Sequence, residues 1–175
     1  MNRKIRPSFS IITGIVCFVV LTMLDQVTKE LAVLRLKGQE PVILIRHVFQ
    51  LYYLENHGAA FGILQGKQSV FFIITVVILA VIVYVYARLP FFRKYRVIRI
   101  FLVMISAGAI GNLIDRVSQG YVVDFFYFNL IDFPIFNVAD IYVTCATILL
   151  VLTVLFRLKE DDITEIIQSI RIKKT

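Results

Sequence analysis

The chain is poor in the residues from which proteins build crosslinks and metal sites: two cysteines and two histidines occur in 175 residues. Cys17 and Cys145 each sit inside a long apolar run, which argues against a disulfide framework or a zinc site and leaves them as small packing residues. His47 and His57 are too far apart in sequence for a local metal motif, no His-Glu-x-x-His segment occurs, and no glycine-rich phosphate loop follows a strand. No metal or organic cofactor is therefore expected. Internal repeats and low-complexity linkers are also missing, so residues 1–175 read as one domain.

What the chain has in excess is apolar surface. A hydrophobic share of 59% and a mean hydropathy of +0.82 exceed what a soluble domain of this length can bury. Lipid is the solvent such a composition fits. The net charge of +7 raises the question of nucleic acid, but the basic residues flank apolar runs. Membrane topology and anionic headgroups account for that pattern, and no nucleic-acid partner is expected. Four apolar segments run from Phe9 to Leu24, Val70 to Leu89, Val97 to Leu113 and Val138 to Phe156. A helix needs about 20 apolar residues to cross the hydrocarbon, so four spans are expected at about 9–29, 69–89, 97–116 and 138–157. Arg3, Lys4 and Arg6 before the first run resemble the start of a cleaved signal peptide, yet Asp25-Gln-Val-Thr-Lys29 follows in place of a small-x-small site. The first segment is read as a permanent span.

Lysine and arginine collect at the N-terminal tip, in the link carrying Arg88, Arg93, Lys94, Arg96 and Arg99, and in the tail from Arg157 to Lys174. By the positive-inside rule both termini are cytoplasmic, the tail 158–175 included, and the segments 30–68 and 117–137 lie outside. In the first outer segment, Pro41-Val-Ile-Leu-Ile and Val48-Phe-Gln-Leu-Tyr-Tyr-Leu are rich in β-branched and aromatic residues on either side of Arg46 and His47. They predict a small β-sheet between spans one and two, ending in the glycine and alanine turn Glu55-Asn-His-Gly-Ala-Ala-Phe-Gly62. The second outer segment, dense in phenylalanine and tyrosine from Tyr121 to Phe136, is expected to dip into the headgroup boundary. In the tail, Ile163, Ile166, Ile167 and Ile170 mark an amphipathic helix, on the inner membrane surface or exposed and partly frayed. The fold class is thus an all-α membrane bundle of four transmembrane helices with a small extracytoplasmic β-sheet.

The polar residues within this frame carry the functional signal. Asp25 and Lys29 stand at i, i+4 on one helix face, either as an interfacial ion pair or as a brace at the mouth of a site. Gly108, Asn112, Asp115 and Arg116 share a face of span three. Glycine there permits close packing, and the face either closes on an Asp115 to Arg116 surface contact or presents amide and guanidinium donors to a peptide. Asn137-Val-Ala139-Asp140 has the spacing of a helix N-cap with an acid at N3. Asp124 is different, because Val122, Val123, Phe125 and Phe126 flank it and no basic neighbour or helix start in sequence justifies it. If Asp124 and Asp140 meet, one holds a proton while the other is charged, the arrangement by which an aspartic dyad activates water and protonates a leaving amine. The helix N-terminus favours the anion at Asp140 and leaves the proton on Asp124. A serine route through Ser106 and Lys29 stays open on sequence alone.

These blocks, together with Asn56-His-Gly58-Ala-Ala-Phe61, resemble the bacterial lipoprotein signal peptidase family, signal peptidase II, in family order from the first span to the fourth. The resemblance implies an aspartic endopeptidase of the bacterial cytoplasmic membrane that acts on diacylglyceryl-modified prolipoproteins. It implies cleavage just before the lipidated cysteine, at a site near the extracytoplasmic surface, with membrane lipids as surroundings and a monomer as the expected state. Asp124 and Asp140 match the catalytic dyad. Asn56, Gly58, Asn112, Arg116 and Asn137 match positions that hold substrate or support the dyad, and Asp25, Lys29, Gly108, Asp115 and Ala139 fall in further motif blocks. The turn from Asn56 to Gly62 is expected to cover bound peptide. Two rivals remain: a small transporter or channel subunit with an acidic cation or proton relay through Asp25, Asp115, Asp124 and Asp140, and a non-catalytic lipoprotein-binding protein.

Overall fold

The computed structural model describes residues 4–58 and 67–171. Four of its helices are long and apolar enough to cross a membrane: α1 (Pro7–Leu36), α2 (Gln68–Arg88), α3 (Arg96–Gln119) and α4 (Val138–Phe156). Three strands, β1 (Val42–Ile45), β2 (Phe49–Asn56) and β3 (Val122–Tyr127), form one antiparallel sheet in the order β1-β2-β3. A short helix α5 (Glu160–Ile170) follows α4.

The bundle is built inside out relative to a soluble protein. Its outward faces are apolar, with Phe9, Ile73, Val83 and Leu155 exposed and Phe156 at 81% exposure. Among the residues it hides are Asp25, Lys29, Asp115, Asp124 and Asn137. Helices apolar all round fit a hydrocarbon solvent, where helices associate by packing and polar contacts rather than by hiding oil from water. α3 is the central helix, packed against α1, α2 and α4. Small residues let it come close: a Cβ on Gly108 would stand 2.5 Å from the Ala139 carbonyl oxygen, and one on Gly111 would stand 2.2 Å from Asp25 Oδ2.

Local sequence sets the ends of these elements. Pro7 occupies the first turn of α1, where its missing N–H costs nothing. α3 stops at Gly120, whose φ of 83° lets the chain turn while its N–H bonds the Arg116 carbonyl. β1 and β2 form a hairpin around Arg46 and His47, with His47 at φ 59°.

Two features depart from the sequence expectation. The second outer segment does not simply dip into an interface: Val122–Tyr127 pairs with β2, Leu54 opposite Asp124 and Asn56 opposite Val122. The sheet therefore draws a strand from between α3 and α4. Strand alternation then separates the faces of β3. Val123 and Phe125 pack on Ala32 and Leu36 at the end of α1, while Val122 and Asp124 point the other way, into a cavity. The second departure concerns the cysteines, which are both exposed rather than packed within the bundle.

Helix α5 docks at the end opposite the sheet. Ile166 meets the cluster of Tyr95, Leu89, Ile98 and Leu102, and Lys94 reaches both Asp162 and Glu165, the latter at 2.7 Å. Ile167 on its other side stays exposed. The N-terminal segment reaches the same end, with Ile5 N–H on the Phe91 carbonyl at 2.8 Å.

Candidate active site

Asp124 and Asp140 arrive from different elements and line one cavity of about 510 Å³ with Asn56, Gly58, Asn112 and Arg116. Asn137 joins the two acids. As N-cap of α4 its side-chain oxygen accepts from Asp140 N–H at 3.0 Å, and Asp140 Oδ2 accepts from Asn137 N–H at 3.1 Å. Such a capping box satisfies helix-end donors that otherwise have no partner. The remaining face of the Asn137 amide donates to Asp124 Oδ1 at 2.7 Å and to Asn112 Oδ1 at 3.0 Å. Asn112 in turn donates to Asp140 Oδ1 at 2.8 Å, and Asn56 donates to Asp124 Oδ2 at 2.7 Å. The spacing that suggests a simple cap therefore describes a cap that also holds both carboxyl groups.

Burial, and after it the nearby charge of Asp140, pushes the Asp124 carboxyl up to about 7 despite the two amide donors. A carboxyl in that position is able to keep a proton near neutrality and give it up again, which suits acid and base work.

Behind this layer lies a buried ionic cluster. Lys29 Nζ is 2.9 Å from Asp25 and 3.1 Å from Asp115, and it donates to Asn112 Oδ1 at 2.8 Å. Asn112 Oδ1 thus accepts from Lys29 and Asn137, which turns its amide nitrogen toward Asp140. Asp25 Oδ1 accepts Ala139 N–H at 2.9 Å, and Asp115 accepts Val123 N–H at 3.1 Å. The cluster therefore pins the first turn of α4 and the start of β3, the two backbone segments that carry the aspartates. Asp115 is buried in it and does not close a surface contact with Arg116.

Arg116 faces the cavity instead. It donates to the Gly58 carbonyl at 3.2 Å and to the Asn112 carbonyl at 3.4 Å, and lies 4.5 Å from the centroid of the Phe71 ring. Its buried Nε has no partner among the described residues. Asn56 Oδ1 accepts Gly58 N–H at 3.0 Å, so Asn56 ties this turn to Asp124. The part of the turn from Ala59 to Gly62, expected to cover peptide, lies outside the described residues.

Gln26 escaped sequence reasoning. Its amide nitrogen donates to Asp115 at 3.0 Å, to the Gly111 carbonyl at 3.1 Å and to Asp25 at 3.2 Å. The available signal was an amide beside Asp25 inside an apolar helix, where an unpaired polar group is costly. Ser106, by contrast, donates to the Leu102 carbonyl at 2.9 Å, and Lys29 is engaged elsewhere, which removes the serine route. Among the described residues no group of three or more His, Cys, Asp or Glu side chains is placed to hold a metal.

Comparison with known proteins matches the chain to a family. The family model described as signal peptidase (SPase) II matches residues 17–156. The chain is 49% identical over 146 residues to a lipoprotein signal peptidase of Caldanaerobacter subterraneus, covering 82% of this chain and 94% of the relative. It is 42% identical over 150 residues to a lipoprotein signal peptidase of Clostridium tetani, covering 84% and 93%. A solved bacterial membrane enzyme structure, obtained by the in meso method at 2.3 Å resolution, superposes with a TM-score of 0.75 at 36% identity, covering 91% of this chain and 97% of that one. Helix α5 lies beyond the residues that the family model matches. On the strength of these matches and of a four-helix membrane architecture, the chain belongs to the signal peptidase II family of lipoprotein-processing proteases.

Proposed function

We propose that the protein is an aspartic endopeptidase of the bacterial cytoplasmic membrane that cuts diacylglyceryl-modified prolipoproteins immediately before the lipidated cysteine. The observation that carries this reading is the joint presentation of Asp124 and Asp140 to one cavity, linked through Asn137 and Asn112. The negative charge rests on Asp140, toward which the Asn137 N–H and the Asn112 amide point at the start of α4. The proton rests on Asp124. Asp140 takes a proton from a water as its oxygen attacks the scissile carbonyl, and Asp124 gives its proton to the developing oxyanion. Collapse of the tetrahedral intermediate breaks the C–N bond as Asp140 passes the proton it took from water to the cysteine nitrogen. Asp124 takes one back from a gem-diol hydroxyl, which leaves a carboxylic acid, a free amine and both aspartates in their starting states.

Asn112, Asn137 and Asn56 hold the two carboxyl groups at fixed angles, and Asp25, Lys29 and Asp115 hold the backbone beneath them. Arg116 and the Gly58 turn offer donors for the carbonyls of an extended peptide. One chain supplies all of these groups, so a monomer suffices.

Topology supports the same reading. The N-terminal segment, the α2 to α3 link and α5 gather at the end away from the sheet, with Lys4, Arg88, Arg93, Lys94 and Arg96. Basic residues mark the cytoplasmic side. The cavity then opens at the outer headgroup level, where a diacylated substrate presents its cysteine while its lipid tails and apolar signal segment stay in hydrocarbon. Lateral entry between helices spares most of the substrate any desolvation. A transport relay needs acids spread through the depth of the membrane, whereas Asp25, Asp115, Asp124 and Asp140 collect at one end.

The test is to offer the purified protein in lipid a diacylglyceryl-modified prolipoprotein and its unmodified counterpart, mapping products by mass spectrometry. Release of a peptide ending before the modified cysteine, with the unmodified chain left whole, is the expected result. Equal cutting of both, or binding without cutting, would overturn the reading.

A further inference from the structure

A second recess lies at the other end of the bundle, between α1 and α3, with a volume of about 810 Å³. Its walls are apolar, formed by Phe9, Val16, Val20, Leu21, Ile100 and Val103. Its rim is basic, formed by Lys4, Arg93, Arg96 and Arg99. Because α1 starts at Pro7 and α3 at Arg96, all four cations sit at the same end of the recess. The wall residues from Phe9 to Leu21 rise about 18 Å along the helix, against about 15 Å for half the hydrocarbon core of a bilayer. The groove is therefore one leaflet deep.

Among the described residues these cations have no carboxylate partner: the ion pairs involve Lys29, Lys37 and Lys94, and none involves the four rim residues. Of the four acids on α5 at this end, Asp162 and Glu165 are occupied by Lys94, and Glu160 and Asp161 make no ion pair with the rim residues. Arg99 is 3% exposed, lies between the Tyr86 and Phe91 rings, and donates to the Tyr86 and Leu89 carbonyls at the end of α2. Its Nε is buried without a partner among the described residues. Carbonyl dipoles orient this guanidinium but leave its full charge at the rim.

We propose that this groove is a binding site for one anionic phospholipid of the leaflet on that side, with its phosphodiester against Arg93, Arg96 and Lys4 and an acyl chain along the wall between α1 and α3. Topology alone asks only for basic residues somewhere at this end, whereas here they crown an apolar slot of leaflet depth. A zwitterionic lipid carries its own cation into this uncompensated positive field and is disfavoured. Assigning the leaflet to the cytoplasmic side rests on the topology proposed above; the lipid preference itself does not.

The experiment is native mass spectrometry of the full-length protein released from detergent, titrated with phosphatidylglycerol or with phosphatidylcholine of the same acyl chains. Wild type is expected to retain one phosphatidylglycerol roughly tenfold more tightly than phosphatidylcholine. The double variant R93Q/R96Q, at two exposed positions, should lose that preference, and V103W should cut retention of both lipids by filling the groove. Inorganic phosphate in hundredfold excess should not displace the lipid. Equal retention of the two lipids by wild type, an unchanged preference in R93Q/R96Q, unchanged retention in V103W, or displacement by phosphate would each overturn the proposal. Since retention is read without substrate, it stands or falls separately from peptidase activity.

Discussion

Two lysines in this protein each sit between two carboxylates, at opposite ends of the bundle, and they differ in burial. Lys29 lies between Asp25 and Asp115 with the three side chains at 4%, 0% and 5% exposure. Lys94 lies between Asp162 and Glu165 with 24%, 19% and 35%. The formal charges are the same, yet the surroundings make them different devices. Removing one member of the buried set leaves charges stranded away from water, while the open set is screened and replaceable. The buried set also touches backbone N–H groups of α4 and β3, so it transmits its geometry to the aspartates. The open set fastens α5, which lies beyond the residues matched by the family model.

The comparison is sharpened most strongly at the proposed dyad. On the proposed mechanism D124N or D140N should lower turnover by on the order of 10³-fold or more, because each would remove a proton carrier while keeping shape and hydrogen-bonding capacity. Single-turnover cleavage of a modified prolipoprotein, with circular dichroism as a check on folding, measures it; near-normal turnover in either variant removes the dyad.

K29M should cost about 3–5 kcal/mol in stability by leaving Asp25 and Asp115 buried without a cation. Denaturant unfolding in mixed micelles reads this. A loss under about 1 kcal/mol would place the buried set in the same class as exposed pairs.

A pH titration separates the ends further. Because the Asp124 value is raised to about 7, the folded protein holds a proton that the unfolded chain has already released. The stability from that protonated carboxyl is fully present below the ordinary carboxylate range and is lost as pH rises through about 7. Turnover should fall across the same upper limit, and D124N should flatten the stability profile between about pH 4 and 7. An equal slope in D124N and wild type would contradict it.

The smallest effect is expected at the open set. K94M should cost no more than about 1 kcal/mol, and less at high salt, with turnover unchanged. A larger loss would mean that α5 supports the bundle as strongly as the buried cluster does.

Sequence alone carried the features that depend on short-range periodicity. Four helices follow from apolar runs of membrane length, and β1 and β2 from segments rich in β-branched and aromatic residues on either side of Arg46 and His47. Asp124 stood out because nothing nearby in sequence explained it, whereas Asp140 read first as the N3 acid of a helix cap. What stayed hidden were long-range pairings. β3 appeared as an aromatic interfacial stretch, because its partner strand lies some 70 residues earlier, as in Glu55 opposite Val123. Gln26 carried no motif of its own and acquires meaning only when Gly111 and Asp115 are brought beside it. The Asp115 to Arg116 contact was a neighbour argument that failed, since adjacent helix positions point apart and Asp115 turned inward to Lys29. Cys17 and Cys145 showed the same weakness: an apolar run does not reveal which way a residue faces.

Asn137 seals the start of α4 and steadies both acids with one side chain. Order in a single helical turn and readiness of the proposed dyad are consequently one property. If that turn unwinds, even briefly and with the rest of the bundle intact, the carboxyl groups lose their common anchor together, so in the proposed enzyme fraying at this spot would act as an off state requiring no separate moving part.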